Sequence, residues 1–332
     1  MNIVEVTGFG GPEVLEVRQA PDPVAGPGQV VIGVSVVDVM SIDAQLRAGW
    51  GKEWFPLRPP FVPGTGVAGR VLSVGAGVDP AWTGRRVAAL LPAGGYAERA
   101  VAGLDTLVAV PDGVGPREAG ALIQVGPAAL SLIDAAELKP GARVLVTGAG
   151  GALGLPLVRL AAAAGADVTA AAHDPAKRAA AEGFGATATL DYSELTGHSD
   201  SGGADPDGSA FGDAGGFDVV FDGVGGQVGS AAFHLVARGG TFFAYGVPSG
   251  STAQVDPGEA EARDVRLVGM EQVQFTPERF RRLAQRTMAE TAAGRLATVI
   301  GLAVPLERAA EAHAALASRE LVGKAVLLVT AE

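Results

Sequence analysis

Val144-Leu145-Val146-Thr147-Gly148-Ala149-Gly150-Gly151-Ala152-Leu153-Gly154 is an apolar run that breaks into glycine and resumes at helical spacing. A strand that turns into a helix in this way lets backbone approach a pyrophosphate, whose charge sits at the helix N-terminus. Ala149, Gly151 and Gly154 stand at the three positions of the GxGxxG pattern, with Gly148, Ala152 and Leu153 completing the turn. Glycine-rich turns also serve plain packing, so the flanking elements decide the reading. Strand and helix patterns alternate around the turn: Arg143 to Thr147, Ala152 to Ala164, Asp167 to Ala172, Ala176 to Phe184 and Thr187 to Tyr192. Phe217 to Asp222, a helix near Val228 to Val236, and Gly240 to Gly246 follow. This rhythm implies an α/β fold with a doubly wound parallel sheet that binds a dinucleotide.

The end of the second strand selects the dinucleotide. An acid there would bind the adenine ribose hydroxyls of NAD. The chain instead reads Ala172-His173-Asp174-Pro175-Ala176-Lys177-Arg178, with a non-acidic strand end and two cations within a turn. That places NADP ahead of NAD, with His173 and Lys177 as candidate contacts. Asp174 argues the other way unless it is the N-cap of a helix opened by Pro175. Lys177 and Arg178 have the alternative of a solvated helix face.

Upstream, short strands alternate with turns. Gln29 to Val37, Gly66 to Val74, Arg86 to Leu91 and Ala97 to Val101 are separated by glycine and proline, which suggests a small β-barrel or sandwich. Pro116 to Leu138 has helical spacing and stops at Lys139-Pro140-Gly141. Downstream, Thr276 to Gly294 is a charged amphipathic helix, followed by strand (Leu302 to Val304), helix (Leu306 to Leu316) and strand (Ala325 to Val329). The last strand is expected to return to the N-terminal β-domain. The expected domains are therefore 1–115 with 297–332, discontinuous, and 116–296. Within the latter, Thr196 to Gly216 holds seven glycines, four aspartates and three serines, and reads as a solvated loop with the alternative of a lid.

Composition removes several function classes. The 332 residues carry 25 basic and 36 acidic side chains, a net charge of −11, which opposes nucleic acid and anionic lipid. With no cysteine, thiolate catalysis, disulfides and thiolate-held zinc are excluded. His173, His198, His234 and His313 show no metal-ligand spacing. Gly151 to Ala172 is apolar enough for a membrane span, but Arg159, Asp167 and the break at Gly165 divide it. Met1 to Val6 lacks a basic stretch leading into an apolar run. The expectation is a soluble, cytoplasmic protein without a metal.

Further motifs are more specific than the glycine turn. They are Phe9-Gly10-Gly11-Pro12-Glu13-Val14-Leu15, Asp43 with Arg47 and Gly49, Pro60-Phe61-Val62-Pro63-Gly64, Ala68-Gly69, and Gly94-Gly95-Tyr96-Ala97-Glu98. Lys139-Pro140-Gly141, Pro305 to His313, and Val322 to Leu327 continue the series. On these the chain resembles the zinc-free medium-chain dehydrogenase/reductases of the zeta-crystallin-like quinone oxidoreductase type. The resemblance implies a GroES-like catalytic domain, a Rossmann domain, NADPH, a homodimer and a small conjugated substrate.

It also marks departures. Met40 and Thr65 stand where zinc-dependent relatives hold their metal, and zinc-free relatives carry asparagine at the Met40 position. Ala128, in Val125-Gly126-Pro127-Ala128-Ala129, stands near a threonine of those relatives. Trp50 and Trp54 lie on a loop that borders the cleft in relatives, where they suit a flat substrate or ordinary packing. Tyr96 has the same two readings, substrate hydrogen bond or structural tyrosine. His313 is read as a helix-surface or packing residue, and Asp43 with Arg47 as a structural ion pair. Tyr192 corresponds to a residue near the adenosine phosphate or caps its strand. Val224, Tyr245, Gly246 and Val247 complete the candidate cofactor contacts. The implied activity is metal-free hydride transfer from NADPH to a quinone or enone, with no side chain assigned as acid. Met40 and Ala128 would also suit an enoyl reductase or reductive cyclase of secondary metabolism, and loss of polar contacts suits an NADPH-binding sensor without turnover.

Overall fold

The computed structural model describes residues 1–51, 57–197 and 216–329. The chain divides into two units: Met1–Pro127 with Thr276–Gly294 and Thr298–Glu332, and Ala128–Phe275 with Arg295–Ala297.

The first unit opens with an antiparallel pair, β1 (Asn2–Val6) and β2 (Leu15–Gln19), which the sequence reading had not separated from its turns. β3 (Gln29–Val39) is the long valine-rich centre of the larger sheet and is buried along most of its length. Met40 ends it, and α1 (Ser41–Arg47) starts at once because the Asp43 carboxylate accepts the Met40 N–H at 2.9 Å, a capping interaction. β4 (Gly66–Val74), β5 (Arg86–Leu90), β6 (Arg99–Gly103) and β7 (Leu107–Ala109) then build antiparallel partners around β3.

The apolar stretch expected as one helix from Pro116 to Leu138 is two helices, α2 (Pro116–Leu122) and α3 (Val125–Ala136). Pro127 supplies the physical reason. It has no N–H for the Ile123 carbonyl, and its ring clashes with that carbonyl in a continuous helix. The break leaves Gln124 outside both helices.

The second unit alternates as its sequence indicated: β8 (Arg143–Thr147), α4 (Gly154–Ala163), β9 (Asp167–Ala171), α5 (Pro175–Gly183), β10 (Ala188–Leu190) and α6 (Tyr192–Gly197). The Gly/Asp/Ser-rich stretch read as a loop or lid lies outside the described residues from 198 to 215. β11 (Phe217–Asp222), α7 (Gly226–His234), β12 (Val236–Ala244), α8 (Pro257–Ala262) and β13 (Arg266–Val268) complete the sheet. All pairings are parallel, in the order β10-β9-β8-β11-β12-β13. The chain runs outward from β8 to β10, then returns to the other side of β8. The switch point therefore lies between β8 and β11, where open α/β sheets bind ligands at the carboxyl ends of their strands.

α9 (Pro277–Ala292), β14 (Ile300–Pro305), α10 (Ala309–Ser318) and β15 (Lys324–Leu328) belong to the first unit. β15 pairs antiparallel with β3, so the C-terminal strand does rejoin the N-terminal sheet. The units divide at 127/128 rather than 115/116. α2 packs on β3, β4 and β15, and α9 packs on β7 and α2, which draws both helices into the first unit. Among the described residues no single helix is long and apolar enough to cross a membrane.

Candidate active site

In the second unit the candidate residues converge on the carboxyl end of the sheet. Gly148 takes φ +67°, a conformation that favours glycine, as the chain leaves β8. Gly154 opens α4, and a Cβ there would stand 2.2 Å from the Gly148 carbonyl oxygen and 2.7 Å from Ala149 Cα. Its bare backbone lets helix and turn close together. A Cβ on Gly150 would meet the Lys177 Cβ at 2.3 Å. Gly151 differs: a Cβ there would meet only the Gly148 carbonyl oxygen, at 3.2 Å, with open space elsewhere. The glycine read from sequence as the point of backbone approach is thus the open one. Ala152 and Leu153, both half-buried, carry the turn into α4, whose first amides have no partner within the helix.

The Thr147 hydroxyl donates to Asp222 at 2.7 Å, joining the ends of β8 and β11, and accepts the Gly223 N–H at 3.1 Å. Asp222 also accepts the N–H groups of Val224 and Gly225, which shapes the turn after β11. Burial pushes its carboxyl pKa up, and these donors oppose that rise. Neither Thr147 nor Asp222 was singled out from sequence. The available signal was a buried polar residue ending each of two apolar strands.

Val224 and the β12 end pack onto the same place. A Cβ on Gly148 would lie 3.4 Å from the Val224 side chain, and one on Gly246 would lie 2.1 Å from the Gly223 carbonyl oxygen. The Val247 carbonyl accepts the Gly250 N–H to close the following turn. The Tyr245 hydroxyl is buried and has no hydrogen-bond partner among the described residues. The Tyr192 hydroxyl accepts the Gly148 N–H at 3.2 Å, and burial pushes its pKa up to about 12.

At the end of β9, Asp174 is the N-cap of α5, accepting the Ala176 N–H at 2.7 Å, with Pro175 in the first turn. Arg178 donates to the carbonyls of Ala172 and His173 and to Asp191, tying the ends of β9 and β10 together. Hydrogen bonds from Ser193 hold the Asp191 carboxyl down at about 2. His173 is exposed, with Nδ1 3.4 Å from that carboxylate. Lys177 packs its Cβ toward Gly150, beside the glycine turn.

The first unit holds two polar clusters. In one, Lys324 (1% exposed) pairs with Asp38 (0%), and its ammonium also lies 3.0 Å from Met40 Sδ and 3.3 Å from the Val39 carbonyl oxygen. Gln124 Nε2 donates to Asp38 Oδ2 at 3.1 Å, and the Thr65 hydroxyl donates to Gln124 Oε1 at 2.9 Å. Met40, Thr65 and Gln124 are partly exposed, so the buried ion pair reaches the unit's surface through them.

The other cluster bears on three expectations and corrects one of them. Tyr96, a candidate substrate contact, is fully buried, with its hydroxyl 2.9 Å from His313 Nε2 and 3.5 Å from Asp43 Oδ2. Its burial and its hydrogen-bond partners match the structural reading. Of the two readings given for His313, the structure has the packing one: the residue is interior, and burial pushes its pKa down to about 3. Asp43 and Arg47 form no ion pair among the described residues. Asp43 caps α1, and Arg47 is buried with Nε and Nη1 unpartnered. Of the remaining candidates, Trp50 is exposed, Trp54 lies outside the described residues, and Ala128 is buried on α3.

Comparison with known proteins agrees with both units. Residues 26–115 match the alcohol dehydrogenase GroES-like domain, and 152–290 match the zinc-binding dehydrogenase domain. A quinone oxidoreductase of Sus scrofa is 31% identical, over 99% of this chain and 98% of its own length. One from Pseudomonas aeruginosa is 30% identical over 98% of each. A solved mycobacterial protein complexed with NADPH is 30% identical, superposes with a TM-score of 0.86, and is matched over 99% of this chain and 100% of its own. An alternating α/β sheet with a glycine turn at its switch point, a GroES-like first domain and full-length similarity together have one reading: the chain belongs to the zeta-crystallin-like quinone oxidoreductases of the medium-chain dehydrogenase/reductase superfamily.

Proposed function

We propose that this oxidoreductase is an NADPH-dependent, metal-free reductase that delivers hydride to a conjugated acceptor, a quinone or an enone. The observation that carries the reading is the Gly148–Gly154 turn at the β8/β11 switch point, with Gly151 open where backbone would meet a pyrophosphate. The cradle fits the cofactor, and the mycobacterial relative described with NADPH supports the same choice. Bound NADPH supplies the hydride. The chain's own part is to hold and orient it: the backbone of Gly151, Ala152 and Leu153 at the phosphates, Tyr192 beside them, and Lys177 with His173 at the adenosine end. Arg178 ties the ends of β9 and β10 together through Ala172, His173 and Asp191, and Lys177, whose Cβ packs toward Gly150 beside the glycine turn, is the residue we assign to the 2′-phosphate. Val224, Tyr245, Gly246 and Val247 wall the other side of the switch point.

Zinc does not fit. The chain has no thiolate, and among the described residues no cluster of three His, Cys, Asp or Glu side chains stands ready for a metal. The Met40 sulfur already accepts from the Lys324 ammonium, whose charge opposes a divalent ion. Without a Lewis acid the acceptor must take hydride readily, as conjugated carbonyls do. The protein then contributes positioning and hydrogen bonds rather than strong polarisation. Homodimers in the cytoplasm are part of the same proposal. Stopped-flow mixing of the NADPH-loaded protein with a panel of quinones and enones tests it. Rapid loss of NADPH absorbance with some members is expected; binding without oxidation by any would overturn hydride transfer and favour a sensor.

A further inference from the structure

We infer that the outer edge of β6, with the cavity beside it, is a docking site for an extended peptide segment that adds to the sheet as a further strand. The site lies wholly within the first unit and is independent of the hydride-transfer reading.

The hydrogen bonds at the two ends of β6 show which way each of its residues points. The Val34 N–H donates to the Glu98 carbonyl at 2.9 Å, and the Leu104 N–H donates to the Gly28 carbonyl at 3.3 Å. Bonded and unbonded pairs alternate along an antiparallel ladder, so in the β3–β6 register Ala100 and Ala102 are the other residues that bond to β3. Arg99, Val101 and Gly103 therefore turn their N–H groups away from β3, and Arg99 and Val101 turn their carbonyls the same way. These groups have no partner among the described residues. The Gly103 carbonyl differs, since it accepts the Thr106 N–H at 3.4 Å. A small ligand could meet one such group. N–H groups on alternate residues, about 6.8 Å apart, match another extended backbone instead.

Sheet edges are ordinarily guarded against strand addition by shortness, charge, proline or bulges. β7, β10 and β13 are three residues long. β14 has a register shift after Ile300 and ends in Pro305, and β2 carries Glu16 and Arg18. β6 has five residues, no proline and an uninterrupted register. Its one charged residue, Arg99, is held by Asp22. The edge is left open.

The cavity says what the added strand carries. It measures 390 Å³, and its lining includes Arg99, Val101 and Gly103 together with Ile3, Val62 and Pro92. The residues that turn their backbone outward thus also border the cavity, beside apolar neighbours. A strand paired with them sets its side chains on the same face, over these groups. With Arg99 and Asp22 already paired, the site asks for no charge. Its occupant is an extended segment with apolar, β-branched side chains on alternate residues.

The probe is fluorescein-labelled, C-terminally amidated Lys-Val-Thr-Val-Thr-Val-Lys, titrated by anisotropy into the full-length protein. Saturable binding below about 1 mM is expected. N-methylation of two valine amides should weaken it at least about 10-fold, because those N–H groups face β6. N-methylation of the two threonine amides should change it less than about 2-fold, because those face outward. Val101→Pro removes one outward N–H and no bond to β3, a change that strand edges tolerate, and should also weaken the peptide at least about 10-fold. If that variant does not fold, Ala93→Trp, at an exposed position on the cavity wall, should have the same effect by filling the cavity. Neither variant should alter NADPH affinity, so failure here is distinct from failure of the cofactor reading. No saturable binding, equal weakening by the two methylation patterns, or full affinity in the folded variants overturns the inference. A dimer in sedimentation that Val101→Pro dissolves overturns it too, because a second copy would then occupy the edge.

Discussion

The Thr147 hydroxyl lies 2.7 Å from Asp222 Oδ1, linking the ends of two strands that are neighbours in the sheet and 75 residues apart in sequence. Asp222 then orders the turn through Val224 and Gly225, and Thr147 accepts the Gly223 N–H. The turns at the switch point are therefore ordered partly by Thr147 and Asp222.

Thr147→Val keeps the shape of the side chain and removes its hydrogen bonds. The Asp222 carboxylate and the Gly223 amide each lose a buried partner, which should cost about 1–3 kcal/mol of stability. Denaturant melts should show this, and NADPH titration of the folded variant should show weaker binding as the 222–225 turn loosens. A variant as stable as wild type would mean that water replaces the hydroxyl without loss.

The two cations after β9 should separate by mutation. Lys177→Ala is expected to weaken NADPH by about 1–3 kcal/mol and leave NADH almost unchanged, as for loss of a charge-assisted contact to the 2′-phosphate. Arg178→Ala should instead lower the melting temperature and weaken both cofactors alike, because it frees Asp191 and the ends of β9 and β10. Parallel calorimetric titrations with the two cofactors distinguish these patterns; selective loss of NADPH in the Arg178 variant would reverse the assignment.

Burial pushes the Asp43 carboxyl up to about 7 from 3.8, against the Met40 and Gly64 hydrogen bonds that pull it down. The folded protein therefore holds a proton that the unfolded chain has already released. This stabilising contribution is complete below pH 3.8 and is lost as pH rises through about 7. Asp43→Asn should remove that loss. The stability of wild type minus variant should fall with rising pH across this window, by at most about 1.4 kcal/mol per pH unit, and be flat above it. Urea melts from pH 4 to 8.5 supply the comparison, and a difference independent of pH would show that Asp43 is ionised throughout.

The protein purified without added metal should contain less than stoichiometric zinc, and chelators should leave its activity unchanged. One equivalent of zinc in elemental analysis would contradict the reading of Met40, Thr65 and Lys324.

The second unit was legible in sequence because each strand is a short apolar run and each turn carries glycine or proline. The turn was read from the motif, and in the structure Gly154 is closely packed where Gly151 is open, with the helix starting at Gly154 rather than Ala152. Asp174 also resolved as the helix cap. What escaped sequence reading were partnerships between distant residues. Tyr96 and His313 are 217 positions apart, and no local pattern announces that they share a hydrogen bond. The Asp38–Lys324 pair depends on β15 lying beside β3 in one register. The break at Gln124 was announced by Pro127, but the run of apolar residues outweighed it. Asp43 and Arg47 sit one helical turn apart, a spacing that suggests a pair, yet the cap of α1 captures the acid first.

Binding of NADPH to Gly151→Val tests the central claim most directly. Any side chain at Gly151 would project from the open face of the turn, where phosphate backbone contact is expected. A Cβ at this position meets only the Gly148 carbonyl oxygen, at 3.2 Å, and circular dichroism and a thermal melt should report a folded protein. Fluorescence titration of that folded variant should show NADPH affinity reduced at least 100-fold, about 2.7 kcal/mol or more. A folded Gly151→Val protein that binds NADPH as tightly as wild type would place the pyrophosphate elsewhere and contradict the assignment of this turn.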